Sequence, residues 1–141
     1  MVKKDFINRK VSLIQDDLVK LAKLEEFSIE ELSKDYLKSA ALERILERII
    51  NRAIDINQHI CAELEKEEPP RDYRDTFLKL SSLKIYPDKF AIEISKSVAT
   101  RNILVHDYDK VDYALVHSSI KDCIKDYTKY IDYILRFLKK K

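Results

Sequence analysis

The stretch Ala41-Leu42-Glu43-Arg44-Ile45-Leu46-Glu47-Arg48-Ile49-Ile50-Asn51-Arg52-Ala53-Ile54-Asp55-Ile56-Asn57-Gln58-His59-Ile60 repeats its apolar residues at intervals of three and four. One line runs Ala41, Ile45, Ile49, Ala53, Ile56, Ile60, Leu64, and a neighbouring line runs Leu42, Leu46, Ile50, Ile54. That period predicts a helix from about Asp35 to Lys66. Being apolar over so much of its circumference, it should be central, packed on more than one side or at a subunit interface. At ~1.5 Å per residue it spans roughly 45 to 50 Å, more than one small bundle needs. It also carries Asp55 and His59 as an i, i+4 pair. Two readings stay open for that pair: a surface contact or local hydrogen bond, or Asp55 as a partner that orients chemistry elsewhere in the chain.

Working outward, a first helix is predicted from about Asp5 to Glu26. Ile7, Val11, Ile14, Leu18 and Leu21 form its buried line, with Asp16, Asp17, Lys20 and Lys23 off that line. Ser28, with Glu31 three residues on, offers a capping box for a short turn or the next helix. On the other side, Glu65-Lys66-Glu67-Glu68-Pro69-Pro70 ends the long helix, because proline cannot continue it; the acidic cluster reads as a solvated end. A shorter helix over about Tyr73 to Leu83 should turn Tyr73, Phe77 and Leu80 inward. Tyr86-Pro87-Asp88 breaks the chain again, with Asp88 as a plausible N-cap. Asp109 or Asp112 should cap a last helix reaching about Lys139, with the line Tyr113, Val116, Ile120, Ile124, Tyr127, Ile131, Ile134, Leu138. Its opposite face, Lys121, Lys125, Lys129 and Arg136, reads as a solubilising surface or, for a nucleic-acid substrate, a phosphate track. His117 has no carboxylate placed to orient it and reads as structural or exposed.

The chain has 141 residues, enough for one domain over 1–141 with a real core. Its net charge of +2 says little about partners. There is no glycine, and the three prolines are Pro69, Pro70 and Pro87. P-loop and Rossmann sites are excluded, since both need glycine where backbone meets phosphate. Cys61 and Cys123 are far apart, and neither belongs to a metal or redox spacing; buried thiols in a cytoplasmic protein are expected. Met1-Val2-Lys3-Lys4-Asp5-Phe6 leads into a charged amphipathic segment rather than a signal-peptide core, and no run approaches membrane-spanning length.

The densest chemistry lies in Arg101-Asn102-Ile103-Leu104-Val105-His106-Asp107-Tyr108. Upstream, Ala91, Ile94 and Val98 set a phase that continues through Arg101, Val105 and Tyr108, so Arg101 occupies a place due an apolar residue. A guanidinium there either snorkels outward or sits against something anionic. Asn102 and His106 form a second i, i+4 pair beside it. A purely structural reading also exists: Arg101 paired with Asp107 or Asp109, His106 at a helix C-terminus, Tyr108 packed. No second histidine or carboxylate pair sits at metal-ligand spacing nearby, so neither a metal nor another cofactor is expected.

Arg101-x4-His106-x-Tyr108, with asparagine directly after the arginine, resembles the motif of the HEPN superfamily, specifically its HepT-like branch. The order of a long helix containing Asp-Ile-Asn-Gln-His, a proline break, a short helix, the motif and a final helix resembles that branch over most of the chain. The resemblance implies an all-α, antiparallel bundle of about five helices. It implies a homodimer formed around the long central helix, with two motifs facing one cleft. It further implies a metal-independent endoribonuclease toxin acting on tRNA or mRNA, with Arg101, Asn102 and His106 as catalytic positions. Tyr108 would accept adenylyl groups from an MntA-like minimal nucleotidyltransferase antitoxin, which silences the toxin. The alternative within the same superfamily is a non-catalytic adaptor that binds nucleotide or presents such a partner with its substrate.

The residue types suit that chemistry on independent grounds. RNA cleavage without metal needs a base for the 2′-hydroxyl proton, an acid for the departing 5′-oxygen, and positive charge at phosphorus. Histidine does either proton task near neutral pH. Arginine donates a planar fork to phosphate and stays charged. One subunit offers a single such histidine, and a symmetric dimer offers two. Asn102 would orient His106 or a phosphate oxygen. Tyr108 could stack on a base, and an adenylyl group on it would bring bulk and negative charge where phosphate must sit.

Overall fold

The computed structural model describes residues 1–64, 68–106 and 112–141, and at His106 the backbone alone. The described residues form α1 (Lys4–Leu24), α2 (Ile29–Lys34), α3 (Tyr36–Leu64), α4 (Tyr73–Ser82), α5 (Asp88–Ser95), α6 (Ser97–His106) and α7 (Tyr113–Lys139), with no strand among them. The all-α class is therefore correct, and the count exceeds five for two local reasons. The Ser28–Glu31 capping box forms as expected and starts the separate short helix α2. The single helix expected to lead into the motif is broken at Lys96. There the hydroxyls of Ser95 and Ser97 donate to the carbonyls of Ile92 (2.8 Å) and Ile94 (2.7 Å). Such side-chain bonds compete with the backbone ladder, which tightens to Lys96 N–H on Glu93 O at 3.3 Å and Ala99 N–H on Lys96 O at 3.1 Å.

Helix α3 is the central element. Leu42, Ile45, Leu46, Ile49, Ile50, Ala53, Ile54, Ile56 and Ile60 are all buried, whereas Ala41 is exposed. Helix α1 packs antiparallel on it through Ile7, Val11, Ile14 and Leu21. Asp17, assigned above to the solvent side, is 1% exposed. It accepts from Arg52 Nη1 at 2.7 Å and Arg48 Nε at 3.2 Å, and Arg48 Nη2 closes the clamp. Two guanidinium groups one turn apart on α3 offset the cost of burying this carboxylate, so a polar residue can occupy the interface.

The turn after α4 shows how a chain without glycine stops a helix. Lys84 takes φ 66°. Ile85 N–H reaches Leu80 O and Lys84 N–H reaches Ser81 O, both at 3.0 Å, closing a Schellman motif around a left-handed lysine. Pro87 takes the N-cap position of α5 and Asp88 opens its first turn, so the helix starts one residue earlier than expected.

Helix α7 is capped by Asp112, whose carboxylate accepts from Ala114 N–H (2.9 Å) and Leu115 N–H (3.3 Å). Tyr127 and Tyr130 are fully buried against Phe77 and Tyr86. Burial pushes all three phenols well above their ordinary range. His117 is structural: its Nε2 donates to Phe27 O at 3.0 Å. Lys121, Lys125, Lys129 and Arg136 face solvent.

Asp126 on α7 is 5% exposed. Desolvation first, then the charges of Glu93 and Asp122, hold its carboxyl above the ordinary range, with Lys125 and Lys129 opposing. A carboxyl raised by folding destabilises the fold when ionised. Asp126→Asn should therefore stabilise the protein at neutral pH. The gain should shrink as pH falls through the raised value and vanish once both folded and unfolded carboxyls are protonated. Urea midpoints over about pH 3 to 8 check this; a gain that persists undiminished in acid would place its origin in packing.

Candidate functional site

Helix α6 is anchored at its start, where the hydroxyls of Ser97 and Tyr127 share a hydrogen bond of 2.7 Å. Val98 (6% exposed) and Leu104 (8%) turn its apolar side into the core. Arg101 comes round half-buried between them, in the apolar phase expected. Its Nε donates to Asn51 Oδ1 on α3 at 2.8 Å and its Nη1 to Asn102 Oδ1 at 3.1 Å. The guanidinium carbon lies 5.0 Å from the centre of the Tyr73 ring on α4. Three elements thus converge on one cation.

The nature of those contacts matters more than their number. Among the described residues no carboxylate pairs with Arg101; its partners are two side-chain amides and an aromatic ring. Neutral acceptors fix a guanidinium without cancelling its charge, so these three partners leave the positive charge of Arg101 in place. Asn102 is exposed, and its Oδ1 accepts from Arg101 Nη1. His106 is the last residue of α6, on the helix face that carries Asn102 one turn earlier. Along the axis it stands about 7.5 Å from Arg101. Tyr108, and the Asp107 and Asp109 of the structural reading, lie outside the described residues.

Residues 14–134 match the family described as Ribonuclease HepT-like. The chain belongs to the HepT-like ribonuclease family.

This HepT-like chain is 30% identical over 132 residues to the tRNA nuclease HepT of Aphanizomenon flos-aquae, covering 94% of this chain and 89% of that protein. It is 29% identical over 89 residues to the mRNA nuclease HepT of Shewanella oneidensis, covering 63% of this chain and 66% of that one. In structure it superposes on the tri-AMPylated Shewanella oneidensis HEPN toxin, solved in complex with an MNT antitoxin, with a TM-score of 0.83 at 23% identity over 95% of this chain and 99% of that one. The HEPN-like helical fold implied by the motif is thereby established.

One open reading of the HepT-like sequence is decided and one expectation is corrected. Asp55 does not orient the motif: it accepts from Lys10 Nζ at 2.9 Å, and His59 Nε2 accepts from the Lys3 N–H at 2.9 Å beside the Phe6 ring. Both residues serve the α1–α3 interface, on the stripe that also carries Arg48 and Arg52. The motif's partner on α3 is Asn51, one turn before Asp55, an amide at the edge of that stripe whose only sequence signal is its place bordering the apolar arc. Tyr73, expected inward, is 40% exposed beneath Arg101, while Phe77 and Leu80 are fully buried as expected. Among the described residues no group of three histidine, cysteine or acidic side chains could hold a metal ion, and no helix is long and apolar enough to cross a membrane.

Proposed function

We propose that this protein is the endoribonuclease toxin of a toxin–antitoxin pair, cleaving RNA without a metal ion at a cleft built from two copies of the chain. The observation that carries the reading is the guanidinium of Arg101, held by Asn51, Asn102 and Tyr73 and paired with no carboxylate among the described residues, on the helix that ends in His106. In the reaction, the 2′-oxygen attacks phosphorus as His106 of one subunit takes its proton. Arg101 bears the growing negative charge on the phosphoryl oxygens. The P–O5′ bond breaks as the partner subunit's histidine protonates the leaving oxygen, giving a 2′,3′-cyclic phosphate and a 5′-hydroxyl end. Asn51 and Asn102 act as positioning residues for the guanidinium. The kinship with tRNA and mRNA nucleases supports RNA as substrate. The structural neighbour's complex with an MNT antitoxin supports a nucleotidyltransferase partner. Its AMPylated state supports Tyr108 as the acceptor, where an adenylyl group would repel the substrate phosphate.

The test is incubation of the purified protein, its unmodified state established by intact mass, with total RNA in EDTA. Cleavage leaving cyclic phosphate ends is expected, together with growth arrest when the chain is overproduced alone. Unmodified protein that cleaves neither tRNA nor mRNA and leaves growth unaffected would overturn the toxin reading in favour of a non-catalytic adaptor.

A further inference from the structure

A groove of about 400 Å³ opens beside the motif, between the start of α4 and the α5–α6 break, lined by Asp72, Tyr73, Arg74, Ser95, Lys96 and Asn102. Asp72 and Tyr73 also border a second hollow of about 540 Å³ that runs along α3 past Gln58 and Arg71. Tyr73 is therefore a ridge between two hollows, with the Arg101 guanidinium at its ring. We infer that this groove holds the single-stranded RNA flanking the scissile bond, with Tyr73 as a stacking surface for one base and Arg74 and Lys96 as phosphate contacts. The inference rests on the nuclease reading and names the substrate form for the same site.

Four observations carry it. Tyr73 belongs to a helix whose other aromatic residue, Phe77, is core, yet its own ring is 40% exposed beside a cation. A nucleotide stacked there would bring its phosphate within reach of Arg101. Arg74 is braced on one wall: its Nε donates to Ser95 Oγ at 3.3 Å, and that buried hydroxyl is itself tied to the Ile92 carbonyl. Lys96, on the other wall, forms an exposed ion pair with Glu93 at 3.5 Å. Exposed pairs of this kind are worth little and yield readily to a phosphate. The acid in the groove, Asp72, is engaged in capping α4 through Asp75 N–H at 2.7 Å. An exposed ring beside fixed cations suits an unpaired base, since a base inside a duplex has no free face to stack.

Binding of the His106→Ala protein to a single-stranded RNA oligonucleotide, measured as a function of salt, tests this. Tyr73→Leu should weaken binding roughly 5- to 100-fold, with Tyr73→Phe restoring it. Arg74→Ala and Lys96→Ala should each lower the slope of log affinity against log salt by about 0.7, the value for one phosphate contact on a single strand. A duplex of the same length should bind more weakly. Lys125→Ala/Lys129→Ala, on the exposed face of α7, is the comparison. A slope lowered by that pair and not by Arg74→Ala or Lys96→Ala would overturn the groove while leaving a cleaving wild type, and so the nuclease reading, intact. Equal affinity for duplex and single strand would also overturn it. A chain that neither binds nor cleaves RNA would overturn both.

Discussion

His106→Ala is expected to lower RNA cleavage in EDTA by about 10²- to 10⁴-fold, the usual contribution of a positioned general acid or base. If the cleft is composite, the loss has a second signature. Each scission would then draw its base from one subunit and its acid from the other, so a dimer with one altered subunit would be as inactive as one with two. Mixing wild-type and His106→Ala chains, followed by subunit exchange, should make activity fall as the square of the wild-type fraction. A linear fall would mean that one histidine suffices and that the sites of a dimer work independently. Arg101→Ala should cost about 10²- to 10³-fold, as removal of one preorganised charge stabiliser does. Arg101→Lys should recover little of it. An ammonium cannot bond Asn51 and Asn102 and still present a flat fork to phosphate.

The largest effect on stability is expected at Tyr130. Its ring is fully buried against Phe77, Tyr127 and Tyr86, and its hydroxyl donates to Asn57 Oδ1 at 2.5 Å. Tyr130→Ala should cost about 3 to 5 kcal/mol, as large-to-small changes of core aromatics do. Tyr130→Phe keeps the ring and strands the Asn57 oxygen, at a cost of about 1 to 3 kcal/mol. The order of the two urea midpoints checks the assignment; equal losses would place the energy in the hydroxyl rather than in packing. The network continues from Asn57 Nδ2 to Thr76 Oγ1 at 3.2 Å and from Thr76 to the Tyr73 carbonyl at 2.6 Å. A core bond on α7 is thereby linked, through α3 and α4, to the backbone of Tyr73, whose ring lies beneath Arg101.

Much of this architecture was legible in the chain before any coordinates. Apolar spacing located the helices to within a few residues, because a helix must keep one face out of water and its period is short. The Ser28 box and the Asp112 cap were legible for the same reason: both are local hydrogen-bond arrangements closed within four residues. The motif was legible as a string, and Arg101's place in an apolar phase already marked it as unusual. Expectations failed where two helices meet. Asp17 looked like a surface acid because its partners Arg48 and Arg52 lie on another helix. For Asp55 a surface contact and a role toward the motif both stayed open, because its partner Lys10 lies on another helix. Tyr73 looked like core because aromatics at helical spacing usually are.

The sequence by itself determined that the chain is all-α, where its long helices start and stop to within a few residues, and that one segment carries an arginine, an asparagine, a histidine and a tyrosine in HepT-like order. Only the tertiary structure decided that Arg101 is held by Asn51, 50 residues away, and rests on Tyr73 with no carboxylate among the described residues to neutralise it. The physical reason is that periodicity specifies which face of each helix is buried. The rotation and register of one helix against another, which choose the hydrogen-bond partners, emerge only when every buried side chain is packed at once.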